Sequence, residues 1–486
     1  MRWTVEEVAR ALGVRLPGGV DLLARLAGVS INSRTVARGE LFVAIHGPRH
    51  DGHSYVVAAL DGGALAGVVA GDRLSGYAEQ YRSKLLAVPD TLAALQNLAQ
   101  AVRTRWGRRL AAVTGSAGKT TTKEILAALL AARFRVLKSD GNLNNEYGLP
   151  LQLLRLEEVD EAAVVELGMS HAGELKRLAE IARPDVGVVT RVAPVHLEFF
   201  ASVDEIALAK RELIEGLAGR ESVAVLNVDD PRVARFAQVA PGRVVTFGAA
   251  GRADFRAENI QDRGLSGSEF DLLGPEGRAR LRLPLAGRHN ISNALAALAA
   301  ASVWGVGAAE AREIFPKLEA TGMRGRILQY DAGFTVINDC YNSNPVALAA
   351  MVELLTHTPA EGRHILAAGE MLELGPASPE LHREAGRAAA ATGKLGWIIG
   401  VQGDAENFVR GAVEDGHPAA RAKFCASSAE AGAFLENLME RGDVLLVKGS
   451  RGVKMERIVE ALDSRFARAN AEPAASLASG TPKERA

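Results

Sequence analysis

Cysteine is scarce in this chain: Cys340 and Cys425 are the two among 486 residues, far apart and without partners at metal-ligand spacing. That usage excludes a disulfide framework and fits core thiols in a reducing compartment. Net charge is also missing, with 57 Lys and Arg against 58 Asp and Glu and a formal charge of −1. No global field therefore recruits nucleic acid or an anionic membrane surface, and an anionic substrate must be held by local groups. Long apolar runs are absent as well. The longest uncharged one, Ala294 to Ala309, is mostly Ala and Gly and reads as a buried helix, being too short and too weakly hydrophobic for a membrane span. At the start, Met1-Arg2-Trp3-Thr4-Val5-Glu6-Glu7 places acidic residues where a secretory signal needs apolar ones, so a cytoplasmic location is expected. No internal repeat occurs at solenoid spacing.

What is present is length enough for about three domains. Residues 1–105 mix short apolar runs, Leu41-Phe42-Val43-Ala44-Ile45 and Leu65 to Ala70, with helical patterns, and read as a small α/β domain. It ends after the amphipathic stretch Thr91 to Trp106. In residues 106–318, strand signals at Leu110–Thr114, Ala162–Val165, Val186–Thr190, Val223–Leu226 and Val244–Phe247 alternate with helical segments, which predicts a mostly parallel sheet. Polar alternation and glycines in 252–285 break that rhythm and predict an antiparallel edge or flap. In 319–466, runs at Thr335–Ile337, Ile365–Ala368, Trp397–Val401 and Val444–Val447 predict a second, Rossmann-like doubly wound sheet. Residues 467–486 are rich in Ala, Ser, Pro and Glu without apolar periodicity and are expected to be a disordered tail. The fold class is thus α/β with three domains, the central one of phosphate-loop type.

The chemistry begins at Thr114-Gly115-Ser116-Ala117-Gly118-Lys119-Thr120-Thr121, where an apolar strand breaks into a glycine turn ending in Lys-Thr and opening a helix. Backbone N–H groups of such a turn face phosphates, Lys119 reaches the β/γ oxygens and the Thr120 hydroxyl ligates Mg²⁺. The usual longer spacing wants glycine where Val113 stands, so the loop is a shortened variant. Glu166 follows the strand Ala162–Val165; a carboxylate there can hold Mg²⁺, or be a solvated strand end. His196 lies on a Pro-bearing loop after the strand Val186–Thr190, where either a metal or phosphate contact or a structural role fits. Lys210 sits on an amphipathic helix of mixed charge, and spacing alone makes it a surface lysine. Between these lies Lys138 to Pro150, too polar and turn-rich to be a packed element and so a substrate loop or a surface turn.

Taken together these segments resemble the Mur ligase superfamily, in order and over nearly the whole chain. Thr-Gly-Ser-Ala-Gly-Lys-Thr-Thr at 114–121 is similar to that family's short phosphate loop, and Asn142-Leu143-Asn144-Asn145-Glu146 to its substrate loop. The set continues with Glu166 before Gly168, His196, Ala209-Lys210, Gly287-Arg288-His289-Asn290 followed by Asn293, and Lys448-Gly449-Ser450-Arg451. Two further segments, Gly369-Glu370-Met371-Leu372-Glu373-Leu374-Gly375 and the start around Ser33-Arg34, resemble the branch that joins D-alanyl-D-alanine to UDP-N-acetylmuramoyl-tripeptide. That branch usually has Asp before the Ser/Thr-Arg pair, where this chain has Asn32. The rival branch, adding the third amino acid, typically carries Asp-Asn-Pro-Arg or Asp-Asn-Pro-Lys, which is absent here. Folylpolyglutamate synthases share the ATP domain but lack the nucleotide-sugar domain.

The resemblance implies ATP-dependent amide formation through an acyl phosphate. It implies that Gly115, Ser116, Ala117, Gly118, Lys119, Thr120 and Thr121 cradle ATP and that Lys119, Glu166, His196 and Lys210 are catalytic. Thr120 and Glu166 then hold one Mg²⁺, with His196 and a carbamylated Lys210 at a second. His289, Asn290 and Asn293 take the adenine side, with Arg326 (or Arg324) and Asp339 supplied by the third block. Ser33, Arg34, Asn142, Asn144, Asn145 and Glu146 meet the UDP-tripeptide, and Lys448, Ser450 and Arg451 face substrate near the dipeptide. A monomer without nucleic-acid or membrane partners is expected. A nucleotide-gated binding protein without ligase activity, the alternative of another class, would be expected to lose Lys210, His196 or the asparagine loop.

Overall fold

The computed structural model describes residues 3–15, 18–47, 50–249 and 252–469. By its contacts the chain divides into two compact units. One holds Met1–Asp262, Ser268–Pro284 and His289–Leu318, and the other holds Arg263–Gly267, Leu285–Arg288 and Glu319–Ala486.

The first unit carries two sheets. The smaller is parallel, with β1 (Val29–Ser30), β2 (Leu41–Val43), β3 (Ala66–Ala70) and β4 (Leu85–Val88) side by side in chain order. The helix Thr91–Trp106 follows, begun by the Asp90 carboxylate accepting from the Leu92 and Ala93 N–H groups and ended by Gly107 in the left-handed region. Its buried Arg103 donates to the Ala182 and Arg183 carbonyls and to Asp185. This helix thus fixes the small sheet to the large one.

The large sheet has β5 (Arg109–Thr114), β6 (Val136–Lys138), β7 (Ala162–Glu166), β8 (Val186–Val189), β9 (Val223–Asn227), β10 (Arg243–Gly248), β11 (Phe255–Asp262), β12 (Ser268–Gly274) and β13 (Gly277–Leu283), in the order β13-β12-β11-β10-β9-β8-β5-β7-β6. β6 through β11 run parallel, and β12 and β13 add the antiparallel edge that 252–285 predicts. β5, β7, β8 and β9 are buried on both faces apart from Arg109, which explains their unbroken Val and Ala runs. The chain leaves β5 toward β6 and β7 on one side and then crosses to β8 on the other. The carboxyl end of β5 is therefore the topological switch point, where open α/β sheets take their ligands. The Ala-rich segment forms the buried helix His289–Ser302.

In the second unit, β14 (Arg326–Gln329), β15 (Thr335–Asp339), β16 (His364–Gly369), β17 (Leu395–Val401), β18 (Ala422–Cys425) and β19 (Val444–Lys448) are ordered β14-β15-β19-β16-β17-β18, with β14 alone antiparallel. Of the expected tail, Arg468 bridges Tyr330, and 470–486 lie outside the described residues. No helix among the described residues is long and apolar enough to cross a membrane.

Candidate active site

The phosphate loop is built where β5 ends. Gly115 (φ +148) and Gly118 (φ +85) turn the chain into the helix Lys119–Leu130. A Cβ on Gly115 would stand 1.9 Å from Thr190 Oγ1 and one on Gly118 2.2 Å from Asn293 Oδ1, so glycine is required at both for backbone geometry and close approach. The loop is tied to the segment beyond β8. Ser116 N–H donates to the Arg191 carbonyl (2.7 Å), Ala193 N–H to Ser116 Oγ (2.9 Å) and Thr190 Oγ1 to the Ala117 carbonyl (2.6 Å). Thr190 is held in turn by Asn227 Nδ2, which donates to its carbonyl at 2.8 Å. Sequence reading missed the roles of Thr190 and Asn227. Their signal is a polar side chain just past, or at the last position of, an apolar parallel strand.

Three of the expected site residues meet at one carboxylate. Thr120 Oγ1 donates to Glu166 Oε2 at 2.7 Å, and Asn144 Nδ2 donates to Oε1 at 2.9 Å. Asn144 also accepts Gly168 N–H at its carbonyl, and a Cβ on Gly168 would fall 2.8 Å from Asn144 Oδ1. Asn145 Oδ1 accepts from Gly148 N–H and starts the next helix, whereas Asn142 and Glu146 are exposed. Lys119 Nζ donates to the Gly115 carbonyl at 2.8 Å. Asn293 Nδ2 donates to Asn290 Oδ1 (2.9 Å), which places the start of the helix His289–Ser302 against the glycine turn.

Lys210 is 2 % exposed and not a surface lysine. Burial, reinforced by the charge of Lys119, pushes its amine well below the usual lysine range. It lies on the helix Val203–Glu215, whose buried residues Ile206, Ala207, Leu213 and Ile214 bracket it on the same face. His196 is half-buried in the left-handed region (φ +56), an uncommon place for a non-glycine residue, and its carbonyl accepts Phe199 N–H.

No three His, Cys, Asp or Glu side chains gather as a metal cage among the described residues. Mg²⁺ does not require one, since it is commonly held by one or two protein oxygens together with substrate phosphates. The Thr120 hydroxyl and Glu166 carboxylate beside a glycine cradle that any Cβ would fill are such a donor set.

A cleft of about 920 Å³ lies in the same unit, with Ser30, Asn32, Thr35, Asp140, Leu143 and Gln152 in its wall. Asn32 Oδ1, an atom that aspartate would also offer, accepts Arg34 N–H at 3.1 Å, while Arg34 itself is exposed.

In the second unit the strand-end residues are engaged with one another. Buried Lys448 donates to Asp339 Oδ2 (2.5 Å) and to the Asn342 carbonyl (2.9 Å). Ser450 Oγ accepts Leu372 N–H (2.9 Å), and Arg451 is exposed and pairs with Glu456. Arg324 stacks on Tyr341 at 4.0 Å, and Arg326 is exposed at the start of β14. The loop 369–375 is pinned from two more sides. Met371 N–H donates to His382 Nε2, and Asp404 N–H to Glu370 Oε1.

Fold and site together define an α/β nucleotide-dependent enzyme class, with a shortened phosphate loop, a hydroxyl-carboxylate pair and a buried lysine at one sheet edge. Three family models match the chain: "Mur ligase family, catalytic domain" over 25–103, "Mur ligase middle domain" over 113–301 and "Mur ligase, glutamate ligase domain" over 323–451. The chain belongs to the Mur ligase family. It is 34 % identical over 443 residues to the UDP-N-acetylmuramoyl-tripeptide–D-alanyl-D-alanine ligase of Bacillus subtilis, covering 90 % of this chain and 93 % of that one. The Escherichia coli protein of the same name is 35 % identical, with 91 % and 95 % covered. Among solved structures, MurF from Acinetobacter baumannii superposes with a TM-score of 0.86 at 29 % identity, over 96 % of this chain and 99 % of that one. MurF from Thermotoga maritima in complex with ADP gives 0.78 at 27 % identity, over 90 % and 97 %.

Proposed function

We propose that this chain is an ATP-dependent ligase that joins D-alanyl-D-alanine to UDP-N-acetylmuramoyl-tripeptide, and so makes a peptidoglycan precursor. The observation that carries the ligase chemistry is the meeting of Thr120, Asn144 and Glu166 at the end of the phosphate loop. The names and extent of the relatives supply the substrates. Residues 1–105 and the cleft beside Ser30 and Asn32 take the nucleotide sugar, 106–318 take ATP, and 319–466 serve the dipeptide. The chain works as a monomer in the cytoplasm, in keeping with two buried free thiols.

In the first step a carboxylate oxygen of the tripeptide attacks the γ-phosphorus of ATP, the P–O bond to ADP breaks, and an acyl phosphate forms. The dipeptide amine then attacks the acyl carbon, phosphate leaves, and the amine gives up a proton. Charge on the phosphoryl oxygens is met by backbone N–H groups of the turn from Ala117 to Thr121, that of Ser116 being given to the Arg191 carbonyl, and by the Lys119 ammonium. Asn144 orients Glu166, and Thr120 and Glu166 would hold a first Mg²⁺, whose charge would offset that of the phosphates. Lys210, whose amine burial pushes toward the neutral form, can attack CO₂ once deprotonated. An N–C bond forms, the nitrogen loses a proton, and the product is an anionic carbamate. That side chain and His196 then suit a second cation. Arg326, Asp339, Lys448, Ser450 and Arg451 remain assigned to nucleotide and substrate in the second unit.

The test supplies ATP, Mg²⁺, UDP-N-acetylmuramoyl-tripeptide and D-alanyl-D-alanine, singly and together, and follows phosphate release and product mass. ADP and phosphate are expected only with both peptide substrates, together with a product equal to their summed mass less water. ATP hydrolysis with neither peptide, or, in a parallel reaction given UDP-N-acetylmuramoyl-dipeptide and a single amino acid, ligation of that amino acid instead, would overturn the reading.

A further inference from the structure

Lys123 stands one helical turn beyond Lys119, on the helix Lys119–Leu130, and is 1 % exposed. Its ammonium donates to the Ser139 carbonyl at 2.6 Å and pairs with Glu124 at 2.9 Å, while Glu124 also pairs with Lys138. These two cations hold the Glu124 carboxyl below its usual range against its own burial. Ser139 is the residue at which the chain leaves β6 for the asparagine loop. It is itself buried, its N–H donates to the Val164 carbonyl (2.9 Å), and its Oγ accepts the Glu166 N–H at 3.0 Å. Five residues further on, Asn144 reaches back to Glu166 Oε1. Glu166 is thus held at its backbone by Ser139 and at its carboxylate by Thr120 and Asn144, and Lys123 fixes the point from which that loop departs.

A methionine would fill the same slot without burying a charge, but it would take from Glu124 one of its two cations, leaving Lys138, and from the Ser139 carbonyl its donor. A lysine there has to be accounted for by what it holds in place. We infer that Lys123 is a positioning residue that couples the phosphate-loop helix to the asparagine loop and sets the orientation of Glu166. This rests on the ligase reading for its kinetic part alone.

The experiment compares the parent with Lys123→Met and Ser139→Ala by hydrogen–deuterium exchange, by calorimetry of ADP with and without Mg²⁺, and by steady-state ligation. For Lys123→Met, exchange in 139–148 should rise at least tenfold. The gain in ADP affinity on adding Mg²⁺ should shrink several-fold, kcat should fall at least tenfold, and KM for D-alanyl-D-alanine should stay within twofold of the parent. Ser139→Ala, which leaves Lys123 and its ion pairs intact, should show the same pattern at lower amplitude. It decides the question if the methionine variant does not fold. Parent-like exchange and Mg²⁺ dependence in a folded Lys123→Met, or in Ser139→Ala if the first is unfolded, overturns the inference. A parent that binds ADP but does not ligate overturns the ligase reading and leaves the exchange and calorimetric arms to decide this one.

Discussion

Lys210 makes opposite demands on stability and activity. Its amine is 2 % exposed, faces the field of Lys119 and has no protein hydrogen-bond partner among the described residues. A buried polar group left without a partner costs about 1–3 kcal/mol, so Lys210→Met, with a side chain of similar length, should be more stable than the parent by that order. The gain must depend on pH. In the unfolded chain the amine stays protonated up to about pH 10.4, whereas in the folded chain it loses its proton well below that. Between the two values the unfolded state binds more protons, so parent stability rises with pH, by at most about 1.4 kcal/mol per unit from this one group. The variant lacks that slope, and its advantage should narrow steadily as pH approaches 10.4. Urea midpoints of both proteins at pH 7, 8.5 and 10, in CO₂-free buffer so that no carbamate forms, measure it directly. A variant less stable at every pH, or an advantage that does not change with pH, would refute the burial argument. Activity moves the other way. Losing a charge-stabilising group typically lowers kcat by about 10²–10³, and Lys210→Ala, which leaves space, should recover part of it with acetate or bicarbonate. Full activity without any addition would remove Lys210 from the site.

Gly118→Ala forces a side chain into the left-handed region, costing about 1–2 kcal/mol, and drives its Cβ to 2.2 Å from Asn293 Oδ1. ADP affinity by calorimetry should fall about tenfold or more as the cradle shifts, and an unchanged affinity would show that the turn is not a phosphate site. Asp339→Ala strands Lys448, which is 3 % exposed, and should destabilise the second unit by about 3–5 kcal/mol in urea unfolding. Adding Lys448→Met should restore much of that loss, and a double variant as unstable as the single would contradict the pairing.

The strand-turn-helix at 114–121 was legible because its signals are local: an apolar strand, two glycines, then Lys-Thr opening a helix. The sheets were legible where strands are buried on both faces, as in β5, β7, β8 and β9, since burial writes a continuous apolar run. It fails for β6, β14 and β18, which have three or four residues and are only partly buried, so their pairing comes from neighbours rather than from their own composition.

The two buried lysines show where a finer reading was available. Lys210 shares a helix face with Ile206, Ala207, Leu213 and Ile214, at offsets of three and four. Lys123 stands likewise three, four and seven residues before the buried Leu126, Ala127 and Leu130. Each charge interrupts an apolar stripe at a position that periodicity reserves for the core. Counting charges along the helix hides this, because mixed charge looks like a solvated face; phasing them against the stripe exposes it. A long cation in a core position is expensive unless something nearby needs it. In both helices that position turns toward the carboxyl edge of the large sheet, where Lys210 meets the field of Lys119 and Lys123 holds the loop that orients Glu166. The departure from pattern therefore marks both positions for test, and it can be read before any family is recognised.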